Sequence, residues 1–262
     1  MRGLLKSFLI LSGVWVICLS CQRDEVTKAT DLPYHFVEFV RYSETCQEDS
    51  TRCAVFKADY PTYDSAESTV RERINQSILS NLLQTISDRE SNQPGSLQEI
   101  AEEFFQDYQE FAVGGFAMPW ELVCHSKVLH ANDDIFTVAM DSYRFMGGAH
   151  PNSYRAIFNF DLQNGTILQI EDIVSDISAF RKAAEQEFRN VQGLEESVSF
   201  QEAGFFMKEF KASTQFALTE NGLLLYYNTY EIAPYAAGPT EILISYEDLA
   251  GILNPAFVPK AS

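Results

Sequence analysis

Apolar and polar positions alternate in the first part of the chain and then recur with helical spacing. Residues 35–42 and 54–60 alternate or run apolar on either side of a polar turn, which predicts a β-hairpin. From Val70 to Ile86 apolar residues follow at four-residue spacing, and a second apolar stripe runs from Leu97 to Phe111. These stripes predict two amphipathic helices that cover a core. Each helix is preceded by a predicted capping box, formed by Asp64 with Glu67 and by Ser96 with Glu99.

Strand-like stretches fill most of the remaining chain, with one clear helical stripe among them. Phe180, Ala184 and Phe188 predict a helix over about 178–191. Because the helices are grouped between runs of antiparallel strands, the predicted fold class is α+β, with antiparallel sheets and helices packed on one face. The predicted strands span residues 120–130, 135–145, 154–162, 222–230 and 240–244, and residues 246–253 are predicted to be helical.

The first twenty residues have the layout of a secretion signal. Two basic residues precede an apolar run over residues 8–19, which is too short to span a bilayer. Residues 19–21, Leu-Ser-Cys, resemble a bacterial lipobox, in which Cys21 carries the lipid and anchors the protein to a membrane. The alternative is an ordinary signal peptide in which Cys21 is incidental. The predicted segments are a lipoprotein signal peptide at 1–20 and a polar tether at 21–33.

The chain is strongly acidic, which excludes one class of partner. It has 19 basic and 37 acidic residues; removing the signal takes away Arg2 and Lys6 and no acidic residue, so the formal charge falls from −18 to −20. We expect no nucleic-acid partner, because phosphate backbones are bound through lysine and arginine. Such a charge serves solubility, and it also steers a cationic protein toward the surface at low salt.

The cysteines indicate an oxidising compartment. Cys46 and Cys53 lie between the first two predicted strands, where a disulfide closes the hairpin in an exported protein. Cys124 lies within an apolar strand pattern and is predicted to be a buried thiol. The sequence contains no HExxH motif and no pair of CxxC motifs, so we expect no metal site and no cofactor.

The stretch FMGGAHPNSY places two glycines and a histidine directly after a predicted strand. His150 is a candidate general base or ligand, because imidazole titrates near neutrality. A hydrolase would combine it with Glu231 or Asp141, but the common serine-acylation motifs GxSxG and SxxK are missing. The other interpretation is structural, with the His150 ring hydrogen-bonded inside a turn that Gly147 and Gly148 allow through positive φ.

A second unusual stretch, residues 226–246, combines tyrosines with prolines and small residues. Tyr227, Tyr230 and Tyr235 would rim a binding groove with Glu231 beside them, because flat amphipathic rings suit sugar rings or protein anchors. The alternative is a bulged loop whose tyrosines are packed in the core.

These two stretches carry a family resemblance. GGAHPN at 147–152, followed by YEIAPYAAGP at 230–239, resembles exported bacterial proteins that combine a domain of unknown function 4163 with a domain of unknown function 3298. The resemblance covers residues 34–253 and implies two small consecutive α+β domains in the bacterial cell envelope, on the periplasmic or outer-surface side of the outer membrane. The implied boundaries are 34–146 for the first domain, 147–254 for the second and 255–262 for a tail.

The resemblance also frames the functional hypotheses. The family includes the extracellular part of an anti-sigma factor that senses lysozyme by binding it, and modules attached to peptidoglycan deacetylases. This sequence shows neither a sigma-binding segment nor the deacetylase metal motif. It therefore indicates a non-catalytic lipoprotein that binds a protein, such as cationic lysozyme, or a cell-wall glycan. The alternative is an envelope polymer hydrolase that uses His150.

Overall fold

Two β-sheets, each with helices packed against it, make up the folded part of the protein. The computed structural model describes residues 34–64, 68–87, 95–113 and 118–258. The predicted signal peptide, Cys21 and the tether lie outside these residues. The strands are β1 Tyr34–Tyr42, β2 Ala54–Tyr63, β3 Trp120–Ala131, β4 Ile135–Phe145, β5 Asn152–Asp161, β6 Gln215–Leu218, β7 Gly222–Tyr227 and β8 Thr240–Ser245; the helices are α1 Thr69–Ile86, α2 Leu97–Val113, α3 Ile170–Ile173 and α4 Ile177–Gln192.

The first sheet has the order β1-β2-β3-β4-β5. Strands β1 and β2 form the predicted antiparallel hairpin, with Tyr34 opposite Tyr63. Strands β2 and β3 run parallel, with Ala54 opposite Trp120, whereas antiparallel sheets were expected throughout. A parallel pair needs a long crossover, and the connection that contains α1 and α2 provides one. The α+β class itself is confirmed.

Helices α1 and α2 cover one face of this sheet, as their apolar stripes predict. The helix residues Ile74, Ile78, Leu82, Ile100 and Phe104 are buried in one core with side chains of β2, β3 and β4. Burial of each such aliphatic or aromatic side chain contributes about 1.5–3 kcal/mol to stability. The core therefore lies between the helix layer and the sheet.

The starts of the two helices test the predicted capping boxes. At α2 the box is confirmed, because the Ser96 backbone N–H donates to Glu99 at 2.7 Å and the Glu99 N–H donates to Ser96 Oγ at 3.2 Å. At α1 Glu67 lies outside the described residues, and Asp64 is not the capping residue as predicted. Ser68 caps the helix by accepting from the Arg71 N–H at 3.4 Å, four residues after Asp64, because the helix begins only at Thr69.

The second sheet has the order β6-β7-β8 and packs on α4. Asp176 caps α4 by accepting from the Ala179 N–H at 2.9 Å, and Gly193 ends the helix at φ 65°. Residues 246–253, predicted to be helical, form a series of turns instead. The Ile252 carbonyl accepts from the Ser175 N–H at 2.8 Å, and Leu253 forms a bridge with Val174, so these groups bond to a distant segment rather than to a helical ladder.

The glycine-rich turn joins two strands of the same sheet. Strand β5 pairs with β4 from Asn152 to Asp161, so the first sheet continues past residue 146, where the resemblance implied a domain boundary. At the other end, Phe257 and Val258 pack against the second core, which places part of the expected tail in the fold.

The remaining face of the first sheet packs against β6 and β7. Ala139 and Ile157 contact Ala217 and Tyr226 in a small apolar cluster between the sheets. Three side-chain amides bond across this contact, Asn159 on β5, Gln215 on β6 and Asn228 directly after β7, and we call them the amide seam.

Each amide of the seam satisfies backbone groups on the other side of this contact between the sheets. Asn159, which is 1% exposed, donates to the Phe216 carbonyl at 2.7 Å and accepts from the Leu218 N–H at 3.0 Å. Gln215 accepts from the Ile157 N–H at 2.7 Å. Asn228 accepts from the Arg155 N–H at 2.7 Å and donates to the Arg155 carbonyl at 3.0 Å. The seam thus replaces a backbone ladder between β5 and β6.

We expect Asn159→Leu to destabilise the protein by about 2–4 kcal/mol, because each buried backbone group left without a partner costs about 1–3 kcal/mol. The free energy of unfolding is measured by urea denaturation. Asn190→Leu on α4, where Asn190 is exposed, serves as the control and should change that free energy by less than about 0.5 kcal/mol. Equal effects of the two substitutions would contradict the role of the seam.

Candidate functional site

The two unusual sequence stretches meet on one surface of the protein. The His150 ring stacks on Tyr235, with 4.0 Å between centroids and 22° between planes. Tyr230 lies 5.5 Å from Tyr235 and 6.4 Å from His150. His150 and Tyr230 are exposed and Tyr235 is half-buried. We call these three residues the aromatic cluster.

The turn between β4 and β5 positions His150. Gly147 and Gly148 adopt φ of 90° and 110°, in the left-handed region that strains other residues. At Gly147 a Cβ atom would also lie 2.8 Å from the sulfur of Met118. His150 Nδ1 lies 2.9 Å from the Pro151 carbonyl, and because a carbonyl only accepts, Nδ1 carries the proton. In the neutral ring this leaves Nε2 as the acceptor nitrogen.

The loop after β7 positions the two tyrosines. Among the described residues, Tyr230 is the non-glycine residue with positive φ, at 68°. Its turn is closed by Glu231, which accepts from the Asn228 N–H at 2.8 Å and donates its own N–H to the Asn228 carbonyl at 3.0 Å. Tyr235 begins a short 3₁₀ turn, and its hydroxyl approaches the Pro151 carbonyl at 3.5 Å. A strained residue held in this way is typical of functional sites.

Tyr227 does not join Tyr230 and Tyr235 in the aromatic cluster, which the predicted groove required; it is buried and is among the lining residues of a separate groove. It is 1% exposed, its ring packs 5.8 Å from that of Phe188, and its hydroxyl donates to the Lys211 carbonyl at 2.9 Å. Burial raises the pKa of this hydroxyl. Strand β7 lies between α4 and the first sheet, so Tyr227 is a core residue.

The two carboxylates considered as partners of His150 have other roles. Glu231 closes the tyrosine turn. Asp141 pairs with Arg155, at 2.5 Å from Oδ1 to Nε, and with Lys127 at 3.4 Å. Burial favours the neutral form of Asp141, but the hydrogen bonds and charge of Arg155 outweigh it and lower its pKa. Within the described part of the chain, the contacts of His150 go to Pro151, Tyr235 and Tyr230 and not to either carboxylate.

The cysteines behave as the sequence predicts. Cys46 and Cys53 form a disulfide. Cys124 is a buried free thiol, and burial raises its pKa to about 12, so it is not a nucleophile at neutral pH. In the ranges that the structure describes, no three histidine, cysteine or acidic side chains are grouped to hold a metal, and no helix is long and apolar enough to cross a bilayer.

Sequence reasoning missed two features. His125 and Asp59 form a surface pair, with 2.6 Å between Nδ1 and Oδ2, on the neighbouring strands β3 and β2. A groove of about 660 Å³ also lies beside Lys208 and Lys211, in the part of the protein that contains the second sheet. Two lysines three positions apart in so acidic a chain were a signal that could have drawn attention to it.

Comparisons with known proteins divide the chain at the aromatic cluster. Residues 47–153 match the family described as deacetylase PdaC, and residues 163–247 match the protein family of unknown function DUF3298. The second match agrees with the predicted domain of unknown function 3298, whereas the first is PdaC rather than domain of unknown function 4163. His150 lies near the end of the first match and the tyrosine loop lies within the second, so the cluster combines both regions.

The proteins similar to this chain include one curated relative and two solved structures. The peptidoglycan-N-acetylmuramic acid deacetylase PdaC of Bacillus subtilis (strain 168) is 26% identical over 145 residues, which is 54% of this chain and 31% of that protein. A DUF3298 family protein from Pseudomonas aeruginosa PAO1 has a TM-score of 0.69 at 24% identity, covering 88% of this chain and 98% of that one. A DUF3298 family member from Bacteroides fragilis NCTC 9343 has a TM-score of 0.68 at 17% identity, covering 86% and 95%. The structures show the shared fold.

The paired state of Asp141 has a consequence for pH dependence. Because its pKa is lowered on folding, its stabilising effect is present above the unfolded value of about 3.9 and is lost as the pH falls through the folded value. We expect Asp141→Asn to reduce the free energy of unfolding by about 1–2 kcal/mol at pH 7 and by less at pH 3. Urea denaturation at both pH values measures this. Asp133→Asn, at an exposed turn position, is the control. If Asp141→Asn lowered the free energy of unfolding by the same amount at both pH values, the assignment would be contradicted.

Proposed function

We propose that this protein is a binding module of the bacterial cell envelope and that the aromatic cluster is its recognition surface. The observation that carries the proposal is the stacking of His150 on Tyr235 at 4.0 Å, with Tyr230 beside them. Flat rings with polar edges bury contact area at low cost in conformational entropy, and they provide hydrogen-bonding groups at their rims. Such surfaces recognise ligands rather than transform them.

The surroundings of His150 support binding over catalysis. Covalent or general-base catalysis needs a nucleophile, a base and a group that orients the base, all within hydrogen-bonding distance. The Nδ1 proton of His150 is directed to the Pro151 carbonyl, Glu231 closes a turn and Asp141 is paired with Arg155. The hydrolase alternative therefore has no partner for His150 among the described residues.

A cell-wall glycan is the ligand that the cluster fits best. The stacked rings suit the apolar faces of sugar rings, and the relative that is similar over 145 residues is a peptidoglycan deacetylase by name. That similarity also supports an extracytoplasmic location, to which the proposed lipid on Cys21 would add a membrane anchor. The second candidate is a cationic protein such as lysozyme, which the excess of acidic residues favours.

We expect Tyr230→Ala and Tyr235→Ala each to weaken binding of the full chain to purified peptidoglycan by about 5- to 30-fold, because central aromatic contacts carry about 1–2 kcal/mol or more. Sedimentation with insoluble peptidoglycan measures the affinity. The control is Tyr42→Ala on β1, since Tyr42 and Tyr230 are each 56% exposed. Binding should change little with salt; lysozyme titrated in parallel would lose affinity with salt if charge drives that contact. Equal effects of all three substitutions would contradict the assigned site.

The hydrolase alternative is tested separately. Incubating the full chain with soluble peptidoglycan fragments should release no new reducing ends or free amines, and His150→Ala should behave identically. Turnover by the unmodified chain that disappears in His150→Ala, with unchanged urea stability, would replace binding by catalysis.

A further inference from the structure

A second candidate site lies in the groove beside Lys208 and Lys211. The groove of about 660 Å³ runs between residues 206–214 and the turn at Glu231–Ile232, and none of the three cluster residues lines it. Its volume falls within the range of about 300–1,000 Å³ that is usual for small-molecule sites. It is therefore large enough for a ligand of a few residues.

One wall of the groove is apolar. Phe206 is 55% exposed, so its ring is accessible to a ligand in the groove. Its backbone N–H donates to the Ile232 carbonyl at 2.8 Å, which fixes the lysine-bearing segment against the turn. Phe206, Met207 and Ile232 provide the apolar lining.

Two cations line the same groove without ion-pair partners. Lys208 and Lys211 are exposed, and no described carboxylate lies within 4.0 Å of either ammonium. By contrast, Arg155 is paired with both Asp141 and Glu241. Unpaired lysines beside an exposed phenyl ring are available to an anionic ligand.

Two carboxylates, Glu209 and Glu231, line the groove beside the two lysines, and they differ in their contacts. Glu231 is held by the Asn228 N–H at 2.8 Å and approached by the Ser213 hydroxyl at 3.5 Å. Glu209 is exposed and is the carboxylate that faces the groove without a described hydrogen bond. An adjoining depression of about 370 Å³ shares Glu209 and Lys211 and adds Arg181 and Glu171. Cations and carboxylates are thus equal in number along the lining, and what distinguishes the groove is that both ammonium groups are unpaired among the described residues while Glu231 is held within its own turn.

We propose that this groove binds a short peptide through its free C-terminal carboxylate. Lys208 and Lys211 hold the carboxylate, and Phe206 with Ile232 receives the terminal apolar side chain. Ammonium groups next to an apolar wall match a carboxylate attached to an alkyl side chain, whereas inorganic phosphate uses only the charges. The site is separate from the aromatic cluster and does not depend on what the cluster binds.

The ligand class is tested by nuclear magnetic resonance on the ¹⁵N-labelled full chain. The probes are N-acetyl-alanyl-alanine, its C-terminal amide and inorganic phosphate. We expect the acid to shift the amide signals of Phe206, Lys208, Lys211 and Ile232, and the amide and phosphate to bind at least about tenfold more weakly. Equal binding of the peptide amide, or equal binding of phosphate at the same signals, would overturn the proposal.

Variants that remove positive or negative charge from the groove test the assigned residues. Lys208→Ala combined with Lys211→Ala should weaken binding of the acid about tenfold, whereas Glu209→Gln should strengthen it about two- to fivefold by removing a like charge. Lys182→Ala, an exposed lysine on α4 outside the groove, is the matched control and should change nothing. An equally large loss of affinity for the acid in Lys182→Ala, or no gain of affinity in Glu209→Gln, would contradict the assigned site. Tyr235→Ala should leave peptide binding intact, which separates this proposal from the glycan site.

Discussion

The relative placement of the two sheets depends on the need of buried backbone groups for hydrogen-bond partners. Strands β5 and β6 are edges of different sheets, and no backbone ladder pairs them. Their N–H and C=O groups would be left unsatisfied where the sheets pack, at a cost of about 1–3 kcal/mol each. Asn159, Gln215 and Asn228 supply the missing partners from side chains. An amide carries both a donor and an acceptor, so it can bridge two edges that do not pair directly.

The same constraint reaches the aromatic cluster. The Asn228 side chain bonds to both backbone groups of Arg155 on β5. The backbone N–H of Asn228 donates to the Glu231 carboxylate, which closes the turn of Tyr230. Tyr230 is thereby kept at positive φ, a conformation that a free loop would leave. Binding surfaces gain affinity when their residues are ordered before the ligand arrives. The polar contacts between the sheets therefore preorganise rings that lie outside them.

Local patterns predicted most elements, and tertiary contacts decided the exceptions. Alternation and helical spacing are properties of neighbouring residues, so β4 was predicted at its observed bounds and the α2 capping box was correct. Residues 246–253 have a helical pattern, yet they form turns in which the Ile252 carbonyl accepts from the Ser175 N–H of a distant segment. Strand β6, with four residues, is too short for a periodic signal. The prediction of an exposed Tyr227 was wrong because β7 is covered on both faces. Tyr226 and Tyr227 are both buried, so alternation along the strand does not distinguish a buried from an exposed face.

The site shows a similar division, since sequence indicates which residues are chemically unusual but not which of them meet. His150 and Tyr235 were both singled out, yet their contact depends on the packing of two sheets. Asp141 and Glu231 looked available because a sequence does not reveal that a carboxylate is already paired. Charge follows the same logic at Lys208 and Lys211: the net negative field is screened over about 8–10 Å in ordinary salt, whereas a ligand in the groove meets ammonium groups at contact distance. A strongly acidic protein can therefore repel anions at long range and still hold a carboxylate locally, because the two effects act at different distances.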